Sequence, residues 1–330
     1  MSKHFDQSTI IDILDVVKRY KSYGITEKNS CTMIELPFST YYCLKKRISH
    51  GINRQEIKRI IPNPYKITQE EKEKIVDYAK KNPQYYHREL TYRMIDNCIV
   101  SVGESTVYRI LKENDLIGKY KKKKYYGWNH LYSNEASAPD ELYQADITYL
   151  KYNGKDVYQL SFIDVYSRYV VFSSTLTNMT SSTVSDVLSL FIEKNKDFLH
   201  RVPRLQTDNG SCFIGYEFQK VIEKYKLTHT TIHPGTPTEN VIIERWHRTF
   251  KEILSELKEP VSFDDLVKIT EEAIYYYNHQ RYHKSLDYVT PYEYYRGNPG
   301  LIYIERERKI KEARENRKKI NISIMENYLF

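Results

Sequence analysis

LQTDNG at residues 205–210 and TENVIIERWHRTFK at residues 238–251 decide how the rest of the chain is read. The first runs an apolar approach into Asp208, which stands beside an Asn-Gly turn. The second has the period of an amphipathic helix. At 100° per residue Ile242, Ile243, Trp246, Phe250, Ile253, Leu254 and Leu257 share one side. Glu244, His247, Arg248, Lys251 and Ser255 share the other. Burying the apolar side points Glu244 outward, with Arg248 and Lys251 about 6 Å and 10 Å further along the axis. Between Asp208 and Glu244 lie 35 residues, and 61 more separate Asp208 from Asp146, which sits in QADITYL at 144–150.

Around these stretches the pattern predicts strands at 142–152, 157–165 and 169–175, with Asn153-Gly154 as a hairpin turn. A helix over 184–198, a buried strand at 204–207, a helix over 213–226 and a strand at 228–232 follow. Residues 233–237 form a loop ahead of the Glu244 helix, and 264–280 are helical. The order βββ-α-β-α-β-α is that of a ribonuclease-H-like α/β domain, a mixed sheet flanked by helices. Asp146 then falls on the first strand, Asp208 after the fourth, and Glu244 on a helix across their ends. Asp164, in a strand connection, is expected to shape that turn rather than bind metal, and His247 to be a surface histidine.

The N-terminal part reads differently. A helix at 10–18 precedes helices at 27–34 and 40–48, with Thr26 and Ser39 as N-caps. This is a helix-turn-helix outline whose second helix carries Lys45, Lys46 and Arg47; a small helical bundle with a solvated basic face fits the same residues. After Pro62 and Pro64, Thr68 and Glu71 form a capping-box pattern. A second outline follows, with a helix at 88–96 and another capped by Ser101, whose Val107, Ile110 and Leu111 face inward. It exposes Arg109 and Lys112. The division expected is a helix-turn-helix region at 1–60, a second at 61–118, a basic linker at 119–141, the α/β domain at 142–298 and a basic helical tail at 299–330. Residues 305–319 of that tail hold eight basic and four acidic side chains, the pattern of a solvated helix, a DNA contact or a subunit contact.

Charge follows the same division. The chain has 330 residues and a formal net charge of +8. Residues 1–130 hold 25 Lys and Arg against 15 Asp and Glu, and residues 131–330 hold 26 against 28. The surplus marks the N-terminal part as the better attractor of phosphate. No apolar run reaches the roughly 18 residues of a membrane span, and no signal peptide is recognised. The four cysteines form no CxxC pair, which argues against a zinc finger and for reduced thiols.

Asp146, Asp208 and Glu244, with Lys251 seven residues beyond the Glu, resemble the DDE triad of bacterial insertion-sequence transposases and retroviral integrases. The resemblance covers residues 142–295. YNHQRYHKSLDYVTPYEYY at 277–295 is similar to the signature that closes such catalytic domains, with Tyr282 where proline is usual. Val241 stands where a small residue is usual. The resemblance implies a DNA strand-cleaving and strand-joining transposase, working as a homo-multimer on paired double-stranded element ends in a bacterial cytoplasm, associated with the nucleoid. It implies two Mg²⁺ ions, replaceable by Mn²⁺, held by Asp146, Asp208 and Glu244. Such a pair, roughly 3.5–4 Å apart, stabilises the attacking and leaving oxygens of an in-line displacement. Arg248 and Lys251 would then grip phosphate, and Asn240 orient substrate or simply serve as a polar group at the helix start. A non-catalytic DNA-binding regulator needs the helix-turn-helix units without the triad; a metal nuclease needs the triad without two DNA-reading units.

Overall fold

The computed structural model describes residues 7–49, 63–117, 136–195, 202–233 and 237–329. These divide into two compact units, one within residues 1–72 and 311–330 and the other within 73–310. The Arg47 side chain and most of the expected linker, 119–135, lie outside the described residues. Among the described residues no helix is long and apolar enough to cross a membrane.

In the first unit α1 (Gln7–Ser22), α2 (Glu27–Met33) and α3 (Phe38–Ser49) follow one another. Val17, Cys31 and Tyr41 form their common core, with Ile13, Leu14, Ile34 and Leu36 packed around it. Thr26 caps α2 as expected, accepting the Asn29 N–H at 3.3 Å. Ser39 does not cap α3, because that helix already begins at Phe38 and places Ser39 inside its first turn. The capping box opening α4 (Gln69–Lys81) forms in both directions, Glu71 N to Thr68 Oγ1 at 3.2 Å and Thr68 N to Glu71 Oε2 at 3.1 Å. Glu71 also receives Arg317 at 2.8 Å, and Asn321 donates to the carbonyls of Pro64 and Lys66 at 2.8 Å each. Arg317 is buried, so the long helix Pro299–Leu329 is not the wholly solvated element its charge density suggests.

The second unit takes in α5 (His87–Asp96) and α6 (Glu104–Glu113), together with the sheet. Val107, Ile110 and Leu111 are buried on α6, but its N-cap is Gly103, with no side-chain cap, rather than Ser101. The expected boundary at residue 118 is not where the compact units part. Asp96, at the end of α5, accepts both Tyr282 Oη and Arg306 Nη2 at 2.7 Å, and Arg93 donates to the Gln280 carbonyl at 2.7 Å. An ion pair and hydrogen bonds of this kind bind the second helix pair to residues 280–306.

The sheet has the order β3-β2-β1-β4-β5, from β1 (Leu142–Tyr152), β2 (Lys155–Asp164), β3 (Val170–Leu176), β4 (Arg204–Thr207) and β5 (Thr228–Thr231). β1, β2 and β3 pair antiparallel; β1 with β4 and β4 with β5 pair parallel. Asn153 and Gly154 both take positive φ, as a two-residue hairpin turn requires. Side chains alternate between faces. Tyr143, Ala145, Leu160 and Phe162 pack with α7 (Ser181–Asn195) and α9 (Tyr216–Lys224). Ile163 and Val170 pack on the other face with α10 (Val241–Leu254) and α11 (Phe263–His279). This mixed sheet between helices is the ribonuclease-H-like fold. The helix expected over 213–226 is broken at Gly215 into α8 (Ser211–Ile214) and α9. A Cβ at Gly215 would lie 2.7 Å from that of Ser181, so the chain turns there to let α7 approach.

Candidate active site

Strand alternation puts Gln144 and Asp146 on the face opposite Tyr143 and Ala145, the face on which α10 packs. β4 ends at Thr207 and passes Asp208 into the following turn. Asp208 Oδ1 accepts the Gly210 N–H at 2.9 Å, and a Cβ at residue 210 would meet that oxygen at 2.8 Å. Glycine is needed there for this closeness. Glu244 is exposed in the first turn of α10, which buries Ile243, Trp246, Phe250 and Ile253 as the helical period predicts. Beyond Glu244, a shallow groove of 510 Å³ is lined by Glu244, His247, Arg248, Lys251, Glu252 and Ser255.

Asp146 feels the other two acids. The Asp146 carboxyl is pushed up to about 7, chiefly by burial. The negative charges of Asp208 and Glu244 add to the rise, and the Ile147 N–H, bonded to Asp146 Oδ1 at 2.7 Å, opposes it. Burial also raises Glu244. Three acids distant in sequence are thus brought into electrostatic reach around Asp146. Among the described residues, no three His, Cys, Asp or Glu side chains are gathered at metal-holding distance. The donor chemistry nonetheless suits a hard divalent cation, since all three groups are carboxylates and a cation near Asp146 would offset the negative charge that Asp208 and Glu244 exert on it. The one neighbouring thiol, Cys212, is pushed up by burial and by Asp208, away from the thiolate that a softer metal would want.

His247 departs from the expected surface histidine. It is buried, with Nδ1 3.5 Å from Asp146 Oδ2 and Nε2 lacking a hydrogen-bond partner. Burial, aided by the Lys251 charge, pushes it down to about 4, so the imidazole is neutral at pH 7 and the contact is no ion pair. Its helical position gave a polar side; the structure shows that this side turns partly toward β1. Asn240 occupies the N-cap position of α10 but is buried, makes no cap and leaves Oδ1 unpartnered. Arg248 and Lys251 are exposed in the groove, whereas Val241 is exposed at the start of α10. Lys45 meets Glu27 at 2.6 Å. Lys46 is exposed on α3, and Arg109 and Lys112 on α6. Asp164 is the last residue of β2 rather than part of the connection, fully buried, and it shapes the turn that follows by accepting from Ser167 N at 2.7 Å, while also accepting from Asp140 N at 3.0 Å. The sequence offered no sign of Gln144, a buried amide that bonds to both β4 and the start of α10.

A ribonuclease-H-like sheet that presents two aspartates from adjacent parallel strands and a glutamate from a packed helix defines the DDE polynucleotidyl transferases. Two models described as integrase core domain match residues 136–237 and 225–291, and this part of the chain is an integrase core domain. The chain is 27% identical over 210 residues to the transposase for insertion sequence element IS904 of Lactococcus lactis, covering 58% of this chain and 80% of the relative. It is 23% identical over 270 residues to the putative transposase InsK for insertion sequence element IS150 of Escherichia coli, covering 79% and 90%. A solved structure of the HTLV-2 integrase catalytic core domain in complex with magnesium superposes with a TM-score of 0.39 at 20% identity, over 49% of this chain and 99% of that one.

Proposed function

We propose that this chain is an insertion-sequence transposase that binds the element's ends, cleaves DNA and joins the freed end to a target. The observation that carries the reading is the electrostatic convergence of Asp208 and Glu244 on Asp146 from three separate segments. Asp146, Asp208 and Glu244 are the residues that would hold two Mg²⁺ ions, or Mn²⁺ in their place. Bound there, the metal supplies Lewis-acid stabilisation of the in-line oxygens at the scissile phosphate. Arg248 and Lys251 line the adjoining groove with positive charge and would bind the DNA backbone on either side of that phosphate. Asn240 lies one turn before Glu244 and would orient substrate once uncovered.

The helices carrying Lys45, Lys46, Arg47, Arg109 and Lys112 would read or grip the element ends, the regions 1–60 and 61–118 serving as end-binding parts and 119–141 as a basic tether. Paired ends call for a homo-multimer, and the working place is the bacterial nucleoid.

The test uses the full chain, supercoiled plasmid and labelled DNA bearing the element's own ends, with Mg²⁺ or Mn²⁺. Metal-dependent cleavage and joining, both lost in Asp208→Asn, is the expected result. End binding without cleavage or joining would replace this reading with that of a DNA-binding regulator. Cleavage without joining of a pre-cleaved end would leave a nuclease.

A further inference from the structure

α10 starts without help from its own cap. Asn240 makes no side-chain bond to the helix, and the N–H groups of a first turn have no carbonyl within the helix to meet. The Ile243 N–H is nevertheless satisfied, by Gln144 Oε1 of β1 at 3.1 Å. The same amide donates Nε2 to Gln206 Oε1 of β4 at 3.0 Å and to the Glu239 carbonyl at 2.7 Å. Gln144 is 1% exposed, and Gln206 lies directly opposite it in the parallel register.

Each end of this network stands at a fixed step from an acid. Gln144 precedes Asp146 by two residues and Gln206 precedes Asp208 by two, while Ile243 immediately precedes Glu244. In a strand, a step of two keeps the same face. On β1 the pair of glutamines thus stands on the face of Asp146, on β4 it comes just ahead of the turn that carries Asp208, and Gln144 fastens both to the turn from which Glu244 projects.

We infer that Gln144 is a positioning residue: its one amide fixes β1, β4 and α10 to one another so that the three carboxylates meet with a set spacing. The inference rests on the proposed roles of Asp146, Asp208 and Glu244. Displacing one reacting group by about 1 Å is enough to lower a rate by roughly 10²-fold, so the effect belongs in turnover rather than in DNA affinity.

Gln144→Met keeps length and removes all three bonds. A matched control is Gln159→Met, a buried glutamine of the same sheet whose side chain bonds Ser173 and Thr175 on β3 rather than β4 or α10. Three quantities are read on the full chain: kcat for end cleavage, KM for the DNA, and the Mn²⁺ concentration giving half of the metal-induced rise in melting temperature. For Gln144→Met the expectation is a kcat about 10²-fold lower, a KM within about threefold of wild type, and a half-saturating Mn²⁺ about tenfold higher. Gln159→Met should leave all three near wild type even if it melts lower.

Should Gln144→Met fail to fold, Gln206→Met removes the bond between strands while leaving Gln144 bonded to Ile243 and Glu239, and carries the same test, with a smaller fall in kcat expected. A kcat and Mn²⁺ response no different from those of Gln159→Met would overturn the positioning role while wild-type cleavage stands. A wild type that neither cleaves nor gains melting temperature on Mn²⁺ would instead remove the assignment of the three acids on which it rests.

Discussion

Replacing Asp146 by Asn should stabilise the protein in metal-free buffer, and by an amount that grows with pH. Folding lifts the Asp146 carboxyl from its ordinary value of 3.8 to about 7, so the folded state holds a proton that the unfolded chain has released. A group raised on folding contributes stability that is complete below its unfolded pKa and is lost as pH climbs through the folded one. Between pH 5 and pH 8 the folded carboxyl gives up most of its proton while the unfolded one is already ionised at both ends. Integrated with those two values, wild type loses at most about 2.6 kcal/mol from this site across the interval. Asn carries no such proton and loses nothing there. The advantage of Asp146→Asn should therefore widen by up to about 2.6 kcal/mol from pH 5 to pH 8, or by roughly 5–10 °C in melting temperature for a unit of this size. Thermal melts of both proteins in chelator at the two pH values measure it. Added Mn²⁺ should raise the wild-type melting temperature and not that of the variant. An advantage that is flat, or that shrinks as pH rises, would refute the rise of the Asp146 carboxyl that its burial and the charges of Asp208 and Glu244 produce.

Two further outcomes follow from packing. Arg306→Met should cost about 3–5 kcal/mol, because Arg306 is buried and its loss leaves Asp96 without its cation; denaturant unfolding checks this, and a loss under 1 kcal/mol would place the pair among weak surface contacts. Val241→Gly should lower stability by about 0.5–1 kcal/mol through the helix start and leave the cleavage rate within about threefold, since Val241 faces solvent at the first position of α10. A large gain in rate would mean that the valine crowds bound DNA.

What could be read in the sequence was whatever a local pattern encodes. The limits of β1 and β4, the Asn153-Gly154 turn and the buried side of α10 all follow from period and turn chemistry, and they suffice to put Asp146 on β1, Asp208 just after β4 and Glu244 in the first turn of α10. Features set by what lies opposite were hidden. His247 sits on a polar helical side, and no wheel distinguishes water from Asp146 as its neighbour. Gln144 is one polar residue in a strand, and its value depends on Gln206 and Ile243, 62 and 99 residues away. Ser39 and Ser101 are good caps by residue type, yet the helices start at Phe38 and Glu104, one residue before the first serine and three after the second. The break at Gly215 comes from the approach of Ser181, and the basic tail is tied down by Glu71 and Asp96.

The sheet order has a consequence for biosynthesis. β1 stands at the middle of the sheet and finds its antiparallel neighbour at once, but its parallel neighbour β4 starts only at Arg204 and the helix bearing Glu244 ends at Leu254. Pairing of this long range waits for the distant segments to exist. A growing chain on the ribosome therefore has its N-terminal helices available well before the third acid has been made. Any capacity to hold nucleic acid would precede the capacity to break it, and a chain interrupted in between would emerge as a binder with no cutting centre.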